Sequence, residues 1–187
     1  MNMRIIAGSA KGTRLKMVAG KHVRPTADRV KESLFQVIGP FFEGGLVLDL
    51  FCGTGALGLE AVSRGADRAI LIDSSRISCE TARVNAKAAR LSDYVEIYRR
   101  DVMAGIQQLH KRSLKFDIIF MDPPYIKNLL TPVIRKLSQF NMLNDDGIII
   151  AEHSSANSPP EKIGSFQCYR RLNYRDTTIS LYTKANM

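Results

Sequence analysis

The chain of 187 residues has the length of a single domain, and its 45% of hydrophobic residues supply a core, which argues against a disordered or fibrous protein. It has 27 Lys and Arg residues against 18 Asp and Glu residues, so the net charge is +9. Three widely spaced cysteines and the lack of a long apolar run argue against a disulfide framework, a zinc site and a membrane span. We therefore expect no metal, no membrane and a reducing, cytoplasmic compartment.

The basic residues are concentrated near the N-terminus. The first 40 residues contain eight Lys or Arg and two acids, which is +6 of the total of +9. Charge concentrated in one segment favours a phosphate-binding face, and nucleic acid is the leading candidate partner. The alternative is a solvated basic surface.

The N-terminal segment predicts a β-hairpin, a basic loop and a helix. Residues 4–7 and 13–18 are strand-like and flank a glycine-containing turn. Thr26 is a plausible helix cap after the loop. An apolar stripe with helical spacing follows at Val30, Leu34, Val37, Ile38 and Phe41. We therefore divide the chain into a basic hairpin and loop, residues 1–25, and a main domain, residues 26–187.

Strands and helices alternate from residue 46 onward. The predicted strands cover residues 46–50, 69–72, 95–98, 116–121 and 147–151. The predicted helices cover residues 56–64, 76–90, 102–111 and 129–140. This alternation indicates an α/β fold with a mostly parallel sheet. Residues 166–174 and 177–183 then predict an antiparallel pair at the sheet edge, which makes seven strands.

A glycine-rich turn follows the first of these strands. The segment Asp49-Leu-Phe-Cys-Gly-Thr-Gly-Ala-Leu-Gly contains the GxGxxG pattern, and its glycines allow close backbone approach to a ligand. The pattern also fits a dinucleotide site. The acid ahead of it favours S-adenosylmethionine, whose cationic amino-acid tail suits Asp49, whereas a dinucleotide would place a pyrophosphate there. We predict that Phe51, Gly53 and Gly55 also contact this cofactor.

Acidic residues also end the next two strands. Asp73 suits the ribose hydroxyls of the cofactor, and Asp101 suits the adenine amino group. Each residue alone could equally cap a strand end or a helix start. Three acids at successive strand ends lie on the carboxyl edge of the sheet, where ligands of α/β proteins bind, and together they predict the cofactor site.

The segment Asp122-Pro-Pro-Tyr125 directly follows an apolar strand. Two adjacent prolines remove two backbone donors and fix two φ angles, so the loop is stiff. It presents the Asp122 carboxylate and the Pro123 carbonyl as acceptors for the two N–H groups of an exocyclic amine, and Tyr125 offers a ring on which a flipped-out base can stack. The alternative is a rigid turn without chemistry. We predict that these three residues catalyse direct methyl transfer.

Together the two motifs resemble those of the amino-methyltransferases, which act on adenine N6, cytosine N4 or guanine N2. Within this group the chain is similar to the bacterial small-subunit ribosomal RNA methyltransferase D family, from Arg4 to the C-terminal strands. The segments that carry this similarity are Arg4-Ile-Ile-Ala-Gly, Lys11-Gly, Arg24-Pro-Thr, Asp28-Arg-Val-Lys-Glu, Gly55-Ala-Leu-Gly-Leu-Glu-Ala and Ser63-Arg-Gly-Ala. Members of the family more often carry Ala and Ser at Cys52 and Thr54, and often Glu at Asp73.

The resemblance implies a Rossmann-like methyltransferase fold and methylation of guanine N2 in 16S ribosomal RNA of the small subunit. It also places Arg24-Pro-Thr26 beside the catalytic pocket. We expect a monomer whose basic hairpin and neighbouring residues bind RNA. The predicted RNA-binding residues are Arg4, Lys11, Arg14, Lys16, Arg24, Thr26 and Arg29.

Three other functions compete with this interpretation. An NAD-dependent oxidoreductase would use the glycine-rich turn, but it leaves the Asp122-Pro-Pro-Tyr segment and the basic N-terminus unexplained. A non-catalytic RNA-binding assembly factor would have no need of Asp122. An adenine-N6 methyltransferase acting on DNA or RNA fits the catalytic segment equally well, and only the N-terminal resemblance argues against it.

Overall fold

The computed structural model of the protein describes residues 3–19, 28–124 and 128–185. The described strands are β1 Met3–Arg4, β2 Arg14–Leu15, β3 Leu46–Leu50, β4 Arg68–Asp73, β5 Val95–Arg99, β6 Phe116–Met121, β7 Leu143–Ser154, β8 Lys162–Ile163, β9 Phe166–Tyr174 and β10 Thr177–Lys184. The described helices are α1 Asp28–Ile38, α2 Ala56–Ser63, α3 Arg76–Ala88, α4 Val102–Lys111 and α5 Leu130–Gln139.

Eight strands form one mixed sheet in the order β5-β4-β3-β6-β7-β10-β9-β8. The first five strands in this order run parallel, and β10 pairs antiparallel with both β7 and β9. The α/β class, the parallel sheet and the antiparallel C-terminal pair are confirmed. The predicted count of seven strands is wrong, because residues Lys162 and Ile163 pair with the start of β9 across a tight turn and form an eighth, edge strand.

Helices cover both faces of the parallel part of the sheet. Its central strands are almost continuously apolar, as expected for strands that are buried on both faces. Val47 packs with α1, α2 and α3 on one face, which we call the hairpin face because β1 and β2 pack there too. Leu48 packs with α4 and α5 on the other face. Because successive side chains of a strand point to opposite faces of the sheet, neighbouring residues such as these two pack into different cores.

Two elements differ from their predicted bounds. Strand β7 extends well beyond the predicted residues 147–151, because it pairs with β6 on one side and with β10 along its second half. Helix α1 ends at Ile38, ahead of Gly39, whose φ is 131°, and Pro40. Phe41 therefore lies beyond the helix and is 64% exposed, so its predicted place on the apolar helical face is wrong.

The N-terminal hairpin is joined to α2 by a buried carboxylate. Glu60 accepts hydrogen bonds from the backbone amides of Ile6, at 3.0 Å, and Ala7, at 3.1 Å. The same carboxylate pairs with Lys31 Nζ at 3.2 Å and with Arg64 Nε at 2.9 Å, and all three side chains are almost completely buried. Glu60 thus orders the start of the chain on the hairpin face.

Candidate active site

Asp49 occupies the carboxyl end of β3 and is 3% exposed. Its Oδ2 accepts a hydrogen bond of 3.0 Å from the amide of Gly58 in α2. Burial raises the pKa of Asp49 to about 7; the Gly58 hydrogen bond opposes this rise and the nearby Asp73 adds to it. Because a buried carboxylate is stabilised by a positive partner, this environment suits the cationic amino-acid tail of a ligand.

The turn after Asp49 leaves its backbone open to a ligand. Gly53 has a φ of 54°, and a side chain added there would contact nothing within 4 Å. Gly55 has a φ of 79°, and an added Cβ would lie 2.9 Å from the Leu71 side chain, so this glycine permits close packing of α2 on the sheet. Phe51 also adopts a left-handed conformation, with a φ of 60°. The turn is therefore shaped for close approach of a ligand to its backbone.

Asp73 fixes this turn from the end of β4. Its Oδ2 accepts from the Gly53 amide at 2.9 Å, and its Oδ1 accepts from the Ser75 amide at 2.8 Å. A carboxylate has about four acceptor sites, so both bonds are compatible with contacts to ribose hydroxyls. The predicted cofactor role of Asp73 thus stays open beside a structural role, which is to hold Gly53 in place.

Asp101 is the N-cap of α4. Its Oδ1 accepts from the amides of Met103, at 2.9 Å, and Ala104, at 3.2 Å. This is the capping alternative that the sequence left open. The side chain is exposed at the same edge of the sheet, and its contact with adenine stays a prediction.

The predicted acceptor loop follows β6. Asp122 is partly buried, Pro123 is buried and Pro124 is exposed. Burial raises the pKa of Asp122 well above its usual range, and the nearby carboxylates of Glu152 and Asp49 raise it further. Tyr125 lies outside the described residues. The loop therefore presents an acid that holds its proton more tightly than an exposed carboxyl does.

Glu152 is a site residue that the sequence analysis missed. The register pairs Met121 of β6 with Ala151 of β7, so Asp122 and Glu152 occupy the next matched positions on adjacent parallel strands. Glu152 is the first acid after the apolar run 147–151. The strand-end rule that identified Asp49 and Asp73 would also have identified it.

A cavity of about 340 Å³ adjoins the acceptor loop. It lies between Pro123 and Pro124, the start of α5, and the end of β7 at Glu152. This volume lies within the range of small-molecule pockets, and the cavity has both polar and apolar walls. The loop thus borders a space in which a planar ligand could be held.

The hairpin is connected to the glycine-rich turn. Asn85 Nδ2 donates to the carbonyls of Lys16, at 3.0 Å, and Thr54, at 2.9 Å, while its Oδ1 accepts from the Lys16 amide at 2.7 Å. Asn85 of α3 therefore holds the hairpin and the turn together, a contact between distant segments that periodicity does not encode.

The predicted RNA-binding residues that the structure describes are all exposed. Arg4, Lys11, Arg14, Lys16 and Arg29 belong to the hairpin and to the first turn of α1. Arg4 forms an ion pair with Asp28, with 3.3 Å between Arg4 Nε and Asp28 Oδ2. Arg24 and Thr26 lie outside the described residues, so their predicted place beside the pocket is untested.

Comparison with known proteins gives consistent matches. The family described as "Conserved hypothetical protein 95" matches residues 3–183. "Putative rRNA methyltransferase YlbH" of Bacillus subtilis is 41% identical over 97% of this chain and 99% of that protein. "Ribosomal RNA small subunit methyltransferase D" of Escherichia coli is 30% identical over 97% of this chain and 90% of that protein. The solved structure "Putative methyltransferase yhhF from Escherichia coli" superposes with a TM-score of 0.85 at 28% identity and covers all of both chains.

The described part of the chain has neither a helix that could span a membrane nor a cluster of metal-binding side chains. No helix in it is long and apolar enough to cross a membrane. The same residues contain no group of three or more His, Cys, Asp or Glu side chains arranged to hold a metal ion.

Proposed function

Because this chain belongs to the Conserved hypothetical protein 95 family, together with relatives named ribosomal RNA small subunit methyltransferase D, we propose that it methylates the exocyclic N2 of a guanine in 16S ribosomal RNA. We propose S-adenosylmethionine as the methyl donor and the small subunit as the setting, with the protein acting as a cytoplasmic monomer. The observation that carries the proposal is the Asp122-Pro123 acceptor pair, which follows β6, the strand adjacent to β3 with Asp49 near its carboxyl end.

The residues at the edge of the sheet fit this cofactor. The buried carboxylate of Asp49, with its pKa raised to about 7, gains a compensating charge from an ammonium group. The open backbone at Gly53 and the remaining acceptor sites of Asp73 suit the rest of an adenosyl amino acid. S-adenosylmethionine supplies a methyl group on a sulfonium, which is already a strong electrophile.

The acceptor loop prepares the amine for attack. The Asp122 carboxylate and the Pro123 carbonyl accept one N–H each, which turns the nitrogen lone pair out of conjugation with the ring and toward the methyl carbon. With the methyl donor bound, a C–N bond would form as the C–S bond of the donor breaks, and Asp122 would accept the extra proton from the nitrogen. A carboxylate with a raised pKa is the better base for this step. The rest of the rate enhancement comes from orientation.

Mass spectrometry of ribosomal RNA tests the proposal. RNA from a strain that lacks the gene should lose one N2-methylguanine, and the wild-type gene should restore it. The Asp122→Ala variant should not restore it, although it should be present at normal level. Loss of a methylated adenine instead would identify an adenine-N6 enzyme, and an unchanged RNA would contradict the proposed activity.

A further inference from the structure

We propose that Glu152 selects guanine as the target base by accepting the hydrogen of its ring nitrogen N1, while Asp122 and the Pro123 carbonyl hold the exocyclic amine. This inference rests on the proposed methylation of a base amine and adds the residue that decides which base is accepted.

The sheet aligns the two carboxyl groups. Strands β6 and β7 are parallel neighbours, with Phe120 opposite Ile150 and Met121 opposite Ala151. Phe120 and Ile150 both pack into the core of the hairpin face. Since side chains alternate along a strand, Asp122 and Glu152, two positions further on, point to this face as well.

The neighbour of Glu152 on its other side confirms this direction. Glu152 is paired with Ile179 of β10, which is buried in the core of the hairpin face. Asp49 lies two positions after Val47 of β3, so it also faces this side. Three carboxyl groups therefore face this side from β3, β6 and β7. Asp122 and Glu152 follow matched positions of β6 and β7, whereas Asp49 is opposite Phe120, two positions before Asp122. Glu152 lies on the side of Asp122 away from β3.

Glu152 also lines the cavity beside the acceptor loop, together with Pro123. A base amine that is held by Asp122 and the Pro123 carbonyl therefore has an acidic side chain next to it. Electrostatic repulsion between Glu152 and Asp122 contributes to the raised pKa of Asp122, which places the two carboxyl groups within interaction range.

The three amine-bearing bases differ in the group next to the amine. In guanine, the ring nitrogen N1 beside the N2 amine carries a hydrogen and is a donor. In adenine and cytosine, the ring nitrogen beside the amine carries a lone pair and is an acceptor. A carboxyl oxygen at this position binds guanine and repels the other two bases, so one residue both favours the correct base and disfavours the wrong ones.

The attachment of the base to RNA fixes which edge points inward. The sugar is joined to the chain, so the edge of guanine that carries N3 remains toward the entrance. The Watson–Crick edge, with N1–H and the N2 amine, enters the pocket first, as it does for other flipped-out bases. Asp122 and Glu152 together match the two adjacent donors on this edge.

Substitution of the target guanine by 2-aminopurine tests the role of Glu152. This base keeps the N2 amine and replaces the N1–H donor by a lone pair. For the wild type we expect kcat/KM on 2-aminopurine RNA to fall by about 100-fold or more relative to guanine RNA, since the bound base would leave the Glu152 carboxylate facing a lone pair instead of a donor. The Glu152→Gln variant can donate from its amide to the lone pair, and it should reduce this preference at least about tenfold.

Two other variants keep the test decisive. Glu152→Asp retains an acceptor and should keep the preference for guanine. Glu161→Gln, the same exchange at an exposed position of the neighbouring loop, should leave both rates unchanged. If Glu152→Gln is inactive on both RNAs, the affinity ratio for the two RNAs, measured with the demethylated cofactor bound, replaces the rate ratio. An unchanged ratio in Glu152→Gln overturns the role of Glu152, whereas a wild type that methylates no guanine overturns the proposed function instead.

Discussion

The burial of the Asp49 carboxyl makes the stability of the protein depend on pH. In the folded protein burial raises the pKa of the Asp49 carboxyl to about 7, whereas in an unfolded chain this pKa is near 3.8. The folded state therefore binds more protons over this range, and stability is lost as the pH rises from about 4 through 7. Above pH 7, the burial of the charge destabilises the cofactor-free protein.

Asp49→Asn should therefore stabilise the cofactor-free protein while removing its affinity for S-adenosylmethionine. The amide keeps an acceptor for the Gly58 bond and carries no charge. We expect a gain of up to about 4 kcal/mol in the free energy of unfolding at about pH 8, and little difference at about pH 4. Urea unfolding at the two pH values, with calorimetry of cofactor binding, measures both effects. A variant less stable than wild type at the higher pH would refute the argument.

Asp122 should control the rate and its dependence on pH. Asp122→Ala should keep cofactor affinity nearly intact and lower the rate of transfer by about 100-fold or more, the effect of losing a preorganised polar group. Because the carboxylate form accepts the amine hydrogens, kcat/KM should fall as the pH drops through the raised pKa of Asp122.

The acid side of this pH profile reports on the charges around Asp122. Burial is the main cause of the raised pKa of Asp122, and the charged groups that raise it further are Glu152 on β7 and Asp49 on β3. Glu152→Gln removes one of these charges, so the fall in kcat/KM should move to lower pH, and Glu161→Gln should not move it. A profile identical to wild type in Glu152→Gln would show that the two carboxyl groups do not interact.

The N-terminal hairpin is joined to helices α1, α2 and α3 by polar side chains that are almost completely buried. Glu60 of α2 bonds to the hairpin backbone, to Lys31 of α1 and to Arg64. Asn85 of α3 bonds to the hairpin and to the glycine-rich turn. These contacts fix the position of the basic hairpin relative to the glycine-rich turn. The proposed RNA-binding and cofactor-binding segments are therefore held in one arrangement by the same buried side chains.

Glu60→Ala should therefore destabilise the protein by about 3–5 kcal/mol, because it leaves two buried cations and two backbone amides without their acceptor. Glu80→Ala is the matched control. Glu80 Oε1 is 2.7 Å from Arg76 Nε, and the two residues are four positions apart on a helix, as Glu60 and Arg64 are. Both side chains of this control pair are more than half exposed. Loss of this exposed pair should lower the free energy of unfolding far less than loss of the buried Glu60 carboxylate. Denaturant unfolding of the two variants measures both losses in the free energy of unfolding. Similar losses would show that the buried Glu60 cluster stabilises the protein no more than the exposed pair does.

At the scale of the whole molecule, the net charge of +9 predicts RNA affinity that depends strongly on salt. Neutralising Lys11, Arg14 and Lys16 to Gln should weaken RNA binding uniformly across sequences. Each loss should reduce the slope of log affinity against log salt by about one for a duplex, and somewhat less for single strands. Cofactor affinity should not change, because these side chains are exposed and Asn85 bonds only to the backbone of Lys16.

RNA titrations at several salt concentrations measure this slope. The control triple variant neutralises exposed lysines outside the first 40 residues, at Lys111, Lys115 and Lys162. If the hairpin lysines and arginine are only solvated charges, both triple variants will show the wild-type slope, and the hairpin will have no place in the RNA site.

The sequence by itself determined the class of the fold and the outline of the site. Apolar strands that alternate with helices are local signals, and they predicted the parallel sheet with its antiparallel C-terminal pair. Acids at strand ends are local signals too, since the carboxyl ends of parallel strands share one edge. Asp49, Asp73 and Asp122 were found in this way, although their roles in binding and transfer stay predictions.

Only the tertiary structure decided which of these groups lie next to one another. Strand order places β7 beside β6, and this neighbour relation brings Glu152 to Asp122. Contacts between distant segments likewise join Asn85 to Lys16 and Thr54. Periodicity reports on each segment alone, whereas these pairings result from packing the whole chain around one core. The physical reason is that side-chain spacing is fixed within a strand or helix, but the neighbours of that element are chosen by burial and hydrogen bonding across the entire fold.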